Sequence, residues 1–348
     1  MKIIRVLVTG AGSGVGQSIA KALNLSNLNL KIFLADINLL NSGLYRFKNS
    51  ILTPKVEKPG ALQWYIKNLK KLKIDILMIG SEFDLIFFSK YASIIKQKTN
   101  CLVCSSSLKV INQFNDKFST QIFLKRNNLP FLKTYAPKKL KEALINSKKL
   151  KFPLILKGRH GTSSRNVFLI RNLDELKKKF KLIKNPILQE HIGFIKDNFN
   201  TEYTCSFFKT KQKTIIGPFI LKRKILNGTS WITETINNKK ISKLILNIAK
   251  IIDCNGSFNI QLRLTKKGPI PFEFNPRFSG TTSIRSHYGF NEPEMYIKNY
   301  FCGSNLINNF KKLKRGICFR YIEEIFLDNS NFKNLKNKIG KGKINKWF

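Results

Sequence analysis

A chain of 348 residues has room for two or three folded units, and with 43% hydrophobic residues it can bury real cores in spite of a formal net charge of +43. No apolar run approaches the roughly 20 residues that span a bilayer, and six scattered cysteines do not make a disulfide framework, so a cytoplasmic protein without a membrane partner is expected. The lysines are not gathered into one stripe and no nucleic-acid-binding motif accompanies them, so the charge is read as attraction for anionic small molecules rather than for nucleic acid.

Residues 3–9 (IIRVLVT) form a short β-branched run that leads into Gly10-Ala11-Gly12-Ser13-Gly14-Val15-Gly16. A helical pattern follows from Gly14 to Leu25, and a second strand, Lys31 to Ala35, ends at Asp36. This is the context of a dinucleotide site, where glycines admit a pyrophosphate and an acid receives the ribose hydroxyls. An NAD(P)-dependent oxidoreductase or epimerase is therefore one reading; a tight strand-to-helix turn that binds nothing is the other. No Tyr-x-x-x-Lys pair of short-chain reductases stands at a plausible place; residue 69, four past Tyr65, is leucine. Ile74 to Gly80 and Cys101 to Cys104 continue the alternation of strands and helices, so residues 1–112 read as a Rossmann-like parallel α/β domain. The C-x-x-C pair reads as buried thiols, because no second pair completes a zinc site.

The character then changes. Asn115-Asp116-Lys117 opens a helix to Asn127, and Leu154 to Lys157 is a strand before a second Gly/Ser-rich loop. A helix from Asp174 to Lys184 and a strand from Ile187 to Ile192 complete a small α+β unit, residues 113–192. Residues 193–310 are richer in strands, with a helix from Ile241 to Ile252, a hairpin from Phe258 to Asn275 and a helix from Glu292 to Phe301. Residues 311–348 form a basic extension, and its last stretch, Lys333 to Phe348, is expected to be a loosely held tail.

Two segments carry chemistry. Lys157 ends a strand before Gly158-Arg159-His160-Gly161-Thr162-Ser163-Ser164-Arg165-Asn166. The lysine precedes its glycines, so this is not a P-loop. It can still face the α/β-phosphates of a nucleotide while Gly161, Ser163 and Ser164 close over the β/γ-phosphates; a surface turn is the alternative. The hairpin is stronger. Polar Asn259, Gln261, Glu273 and Asn275 alternate with apolar residues, and a register centred on Lys267 sets Gln261 opposite Glu273 and Asn259 opposite Asn275. One face then gathers a carboxylate and carboxamides, a donor set for Mg²⁺ or Mn²⁺. A solvated face in so basic a chain should instead carry lysines. Arg277 follows at once, where a guanidinium can neutralise a transferring phosphoryl group, and Ser279 and Arg285 suit an anionic acceptor.

Lys157, its loop and Glu273-Phe274-Asn275-Pro276-Arg277 together resemble the ATP-grasp superfamily, and in particular short proteins similar to the carbamoyl-phosphate synthase large subunit. The resemblance implies a two-subdomain ATP-grasp fold after the Rossmann-like domain, with the first glycine loop as scaffold. It implies ATP contacts at Lys117, Lys157, Glu190, Ile192, Glu202 and Arg223, metal ligands at Gln261, Glu273 and Asn275, and Arg277 at the γ-phosphate. ATP and Mg²⁺ (or Mn²⁺), a carboxylate and an amine are then the expected cofactors and substrates, and the loop at 158–166 is expected to close as a lid; a homodimer is left open. Departures are Gly158 where proline is usual, Ser163 and Asn166 where some members have glycine, and a longer stretch between Glu190 and Glu202. With one ATP-grasp unit instead of two, synthesis of carbamoyl phosphate itself would need two cooperating copies.

Overall fold

The computed structural model describes residues 2–161, 167–193, 202–306, 313–328 and 330–344. The N-terminal unit runs β1 (Ile4–Val8), α1 (Gly14–Asn24), β2 (Leu30–Asp36), α2 (Gly43–Arg46), β3 (Ser50–Leu52), α3 (Ala61–Lys71), β4 (Ile76–Met78), α4 (Glu82–Thr99) and β5 (Leu102–Cys104). Its five strands are parallel in the order β3-β2-β1-β4-β5, the Rossmann-like sheet that the alternation predicts.

The small unit follows as α5 (Leu108–Asn115), α6 (Lys117–Arg126), β6 (Thr134–Tyr135), α7 (Leu140–Leu150), β7 (Leu154–Gly158), β8 (Val167–Ile170), α8 (Leu173–Phe180) and β9 (Pro186–Glu190). Its antiparallel sheet has the order β6-β9-β7-β8. Caps visible in the sequence set several helix starts: Asp116 accepts from the amides of Phe118 and Ser119, and Asn172 from that of Glu175.

The large unit contains β10 (Glu202–Lys209), β11 (Ile215–Leu226), β12 (Thr229–Thr235), α9 (Lys239–Ile251), β13 (Gly256–Thr265), β14 (Gly268–Asn275), α10 (Thr282–His287), α11 (Glu292–Tyr296) and β15 (Ile317–Phe319). The last helix of the sequence reading is thus one α-turn that widens into a π-turn over Ile297–Phe301. The six strands lie in the order β14-β13-β10-β11-β12-β15.

The cores show how these units are joined. Val6, Val8 and Ile19 of the first unit share a core with Phe219, Leu221, Ile284 and Phe290 of the large one. The small unit has its own core of Ala143, Leu154, Leu156, Leu176 and Leu188. The first and large units therefore form one packed body, and the small sheet is attached beside it. No helix among the described residues is long and apolar enough to cross a membrane.

The C-terminal segment corrects the expectation of a loose tail. β15 adds an edge strand to the large sheet by pairing with β12. Further on, Phe332–Lys338 forms a 3-10 turn, and the amides of Gly340 and Gly342 donate to the carbonyls of Leu44 and Tyr45 in α2, both at 2.9 Å. A basic composition signals solubility; it does not reveal backbone docking.

Candidate functional site

The hairpin β13–β14 has the expected register where it matters. Asn259 faces Asn275 and Gln261 faces Glu273. The route to that register differs from a turn centred on Lys267. The turn holds only Lys266 and Lys267, between paired Thr265 and Gly268, and a bulge at Phe272 then restores the alignment. At a bulge two neighbouring side chains can share one side of the sheet, and Phe272 and Glu273 both line the same cleft. On the opposite face Phe258, Ile260, Leu262 and Phe274 are buried against Ile241, Ile245 and Ile248 of α9.

The polar face is a connected network. Glu273 Oε1 accepts from Gln261 Nε2 at 3.3 Å and from Asn275 Nδ2 at 3.1 Å. Gln261 Oε1 accepts from Arg223 at 2.8 Å, and Arg223 and Arg263 both bind Glu202, at 3.1 and 2.8 Å. Asn259 lies beneath, its amide donating to Thr204 Oγ1 at 2.8 Å and its buried Oδ1 without a partner. A half-turn of a carboxamide exchanges its NH₂ for its oxygen at little steric cost. Gln261 and Asn275 can therefore present oxygens beside Glu273, and a metal would recruit such donors. The set fits a hard divalent cation that takes its remaining ligands from phosphate and water. Among the described residues no group of three or more His, Cys, Asp or Glu side chains is placed to hold a metal ion, so this single carboxylate with two carboxamides is a modest metal site by itself.

The small sheet supplies the facing wall. Lys157, at the end of β7, is buried and donates to Gln189 Oε1 at 2.8 Å. Burial pulls its pKa down to about 8, and the charges of Lys117 and Arg263 add to this while Glu273 and Glu202 oppose it. Lys117 donates to the Gly161 carbonyl at 2.6 Å, and Asp116 binds Arg159 through two bonds of 2.8 and 2.6 Å, which ties the base of the second glycine loop to α6. Asp116 is held below the usual carboxylate range: burial opposes this, but the bonds from Arg159 and Ser119 outweigh it.

One cleft collects these groups. Lys117, Lys157, Gly161, Glu190 and Ile192 line it from the small unit, and Glu202, Arg223, Gln261 and Glu273 from the large sheet. Ser163 and Ser164 lie outside the described residues. Gln189, Arg263 and Phe272 also line the cleft and were not expected. Gln189 stands one residue before Glu190 and Arg263 two after Gln261, so strand alternation could have found Arg263; nothing local marks Phe272. Four cations, Lys117, Lys157, Arg223 and Arg263, meet three carboxylates there, and Leu132, Ile155 and Val167 add apolar wall. Such a cleft suits a ligand with a flat apolar part and a polyanionic part.

Four expected residues sit elsewhere. Asn275 is buried beside the cleft, behind Glu273. Arg277 turns away and pairs with Glu82 of α4 at 2.5 Å. Arg285 is 0% exposed and bonded to Glu292, Ser279, Thr281 and Thr282, so it and Ser279 form an internal strut and offer nothing to an anionic acceptor in this conformation. The small residues around it solvate the guanidinium of their own chain.

The first glycine loop is also filled from within. Asp36 accepts from the Gly12 amide at 2.7 Å, the Asn38 amide at 3.0 Å and Asn41 Nδ2 at 2.6 Å, which occupies the carboxylate a ribose would need. A Cβ at Gly12 would meet the Asn41 side chain at 2.2 Å, and one at Gly16 the Gly10 carbonyl oxygen at 2.1 Å. The glycines serve close packing of the chain on itself.

Known proteins share this fold. Residues 114–206 match the family described as RimK-like ATP-grasp domain, and residues 199–325 match "ATP-grasp in the biosynthetic pathway with Ter operon". A carbamoyl-phosphate synthase of Methanobrevibacter smithii is 21% identical, the match covering 78% of this chain and 74% of that protein. Among solved structures, N5-carboxyaminoimidazole synthetase from Staphylococcus aureus complexed with ADP superposes with a TM-score of 0.71 at 17% identity, over 92% of this chain and 83% of that one. The biotin carboxylase domain of Hydrogenobacter thermophilus 2-oxoglutarate carboxylase, solved with MgADP, ADP and bicarbonate, gives 0.68 at 14% identity, over 90% and 73%. At these identities the structural likeness is one of fold.

Proposed function

Since this chain belongs to the ATP-grasp superfamily, we propose that it is an ATP- and Mg²⁺-dependent ligase that activates a carboxylate as an acyl phosphate for attack by an amine or similar nucleophile. The observation that carries the reading is the single cleft in which Lys157 and Lys117 of one sheet face Gln261 and Glu273 of another. In this reading Lys117, Lys157, Gly161 and Arg223 take the phosphates, Glu190 and Ile192 the base edge, and Glu202 the ribose. Gln261, Glu273 and Asn275 would hold Mg²⁺, which supplies charge neutralisation to the phosphates when bound.

The substrate carboxylate attacks the γ-phosphorus, the bond to the β-phosphate oxygen breaks, and ADP leaves. The nucleophile then attacks the acyl carbon and phosphate departs. The chain's part is positioning and electrostatics. Lys157 places a buried positive charge at the phosphates, where low dielectric strengthens it. Arg277, once turned from Glu82, offers a second such charge. Closure of the small sheet over the cleft excludes water that would hydrolyse the acyl phosphate.

The test is ADP release in the presence of Mg²⁺ across a panel of carboxylates and amines, with Glu273→Ala beside the wild type. Metal-dependent turnover should appear with a particular pair and vanish in the variant. Normal turnover by Glu273→Ala would sink the metal assignment, and no nucleotide turnover by the wild type with any pair would sink the ligase reading.

A further inference from the structure

Lysine and arginine make up 63 of the 348 residues, yet one edge of the large sheet is apolar. β15 is the outer strand of that edge among the described residues. Ile317, Phe319, Tyr321 and Ile322 are 52%, 67%, 76% and 77% exposed. Gly316, Cys318 and Arg320 between them are half-buried, and Cys318 packs against the core shared by the first and large units. The backbone alternates in the same way. The Thr235 amide donates to the Gly316 carbonyl at 3.0 Å and the Arg320 amide to the Trp231 carbonyl at 2.9 Å, with Cys318 opposite Thr233 between them. Residues 316, 318 and 320 therefore bond toward β12, and the N–H and C=O groups of Ile317, Phe319 and Tyr321 point to the open side. Such an edge is a template for another strand, and proteins commonly blunt it with lysine or proline. In this lysine-rich chain residues 317–319 carry neither.

The strand that complements this edge is the edge itself. Its flanks carry opposite charge: Lys314 and Arg315 precede it, and Glu323 and Glu324, two of only 20 acidic residues, follow it. A symmetric antiparallel pair is centred on a residue whose backbone faces outward, here Ile317, Phe319 or Tyr321. Centring on Phe319 sets Ile317 opposite Tyr321, Arg315 opposite Glu323 and Lys314 opposite Glu324. Centring on Ile317 sets Lys314 opposite Arg320, and centring on Tyr321 sets Phe319 opposite Glu323. One register of the three matches apolar with apolar and base with acid. Lys314, Arg315 and Glu324 are exposed, and Glu323 also meets Arg46 of its own chain at 2.5 Å.

We propose that β15 binds a second copy of this chain, the two strands antiparallel about Phe319, so that the large sheets of both copies run into one. The cross-strand aromatic and aliphatic pairs supply burial, and the flanking charges select the register. β14, which carries Glu273, is the opposite edge of the sheet, so both clefts stay open in the pair. The net charge of +43 opposes association at long range, and salt at about 0.15 M screens it beyond about 8 Å while adjoining charges still meet. The interface stands or falls apart from the ligase reading.

The experiment is sedimentation velocity on the full chain in about 0.15 M salt, from about 1 to 100 μM, the range of a modest specific interface. The wild type should pass from monomer to dimer, and Phe319→Lys should stay monomeric. Glu324→Lys turns two attractive pairs into repulsive ones and should weaken the dimer about tenfold. Adding Lys314→Glu to it reverses the charge order on both flanks and should restore wild-type dimerisation, which a role of Glu324 within its own chain would not produce. A wild type that is monomeric throughout overturns the proposal and leaves the edge to a different protein. A dimer untouched by Phe319→Lys, or a double variant as weak as Glu324→Lys, overturns it as well. If Phe319→Lys does not fold, Tyr321→Lys takes its place and is judged by the same outcomes.

Discussion

Lys157 is a cation kept in a place that disfavours cations. Its ammonium is buried, tied to Gln189, and pulled down to about 8 by burial first and neighbouring positive charge second. An unfolded lysine keeps its proton to about pH 10.4. Between those values the unfolded chain binds more protons than the folded one, so this group's contribution to stability rises with pH from about 8 to about 10.4 and is flat below 8. In the proposed reading its service to an anionic ligand runs the other way. The kcat/KM for ATP should fall about tenfold per unit above pH 8, and Lys157→Arg, charged at every accessible pH, should lose that descending limb; a flat profile in the wild type would show that the ammonium is not needed. The lysine itself was legible, because a strand-end lysine before a Gly/Ser loop is a local pattern. Gln189 was not, since its meeting with Lys157 is made by pairing across 32 residues. Arg285 was misread for a related reason: Ser279, Thr281 and Thr282 look like an open anion site in sequence and close on the arginine in space.

Among the elements, the hairpin was the most legible because its period of two needs no long-range information. Alternation gave the faces and the pairing of Gln261 with Glu273. It could not give the bulge, which inserts one residue without changing the order of apolar and polar types. The bulge brings Phe272 to the cleft, with the Lys157 ammonium 6.0 Å and the Arg263 guanidinium 5.8 Å from its ring. Deleting Phe272 should keep Gln261 opposite Glu273, and circular dichroism should show the native fold. The wall would be lost, and the KM for ATP should rise about tenfold, the effect of removing one aromatic contact and its burial. An unchanged KM would make the bulge a folding device only. Of the helices, α1 and α9 were readable from their caps and apolar faces. The short α2 and the lysine-rich α7 were not, because neither shows a clear apolar stripe without its partners.

At the scale of the molecule, one shared core makes the first and large units a single body, and the last described residues strap that body from outside. Gly340 and Gly342 bond to α2, Arg46 pairs with Glu323 at 2.5 Å, and Phe326 bridges to Lys343. Truncation after Asp328 should therefore speed amide exchange at residues 43–46 while β7 and β9 of the small sheet keep their protection, as measured by hydrogen–deuterium exchange. Unchanged exchange at α2 would restore the view of a free tail. The domain order was visible in the alternation of element types, whereas this strap depends on backbone amides, to which side-chain composition is blind.

The packing of Asn41 against Gly12 and of Gly16 against Gly10 also shapes which sequences this protein tolerates. In a saturation library scored for soluble protein, positions 12 and 16 should reject nearly every replacement as firmly as a reacting residue would, although no ligand need touch them. Shrinking Asn41 to glycine should relax position 12 alone, because its obstruction is a side chain, whereas the obstruction at 16 is backbone. The dinucleotide-like signature would then be a record of steric necessity that a change 29 positions away can partly erase.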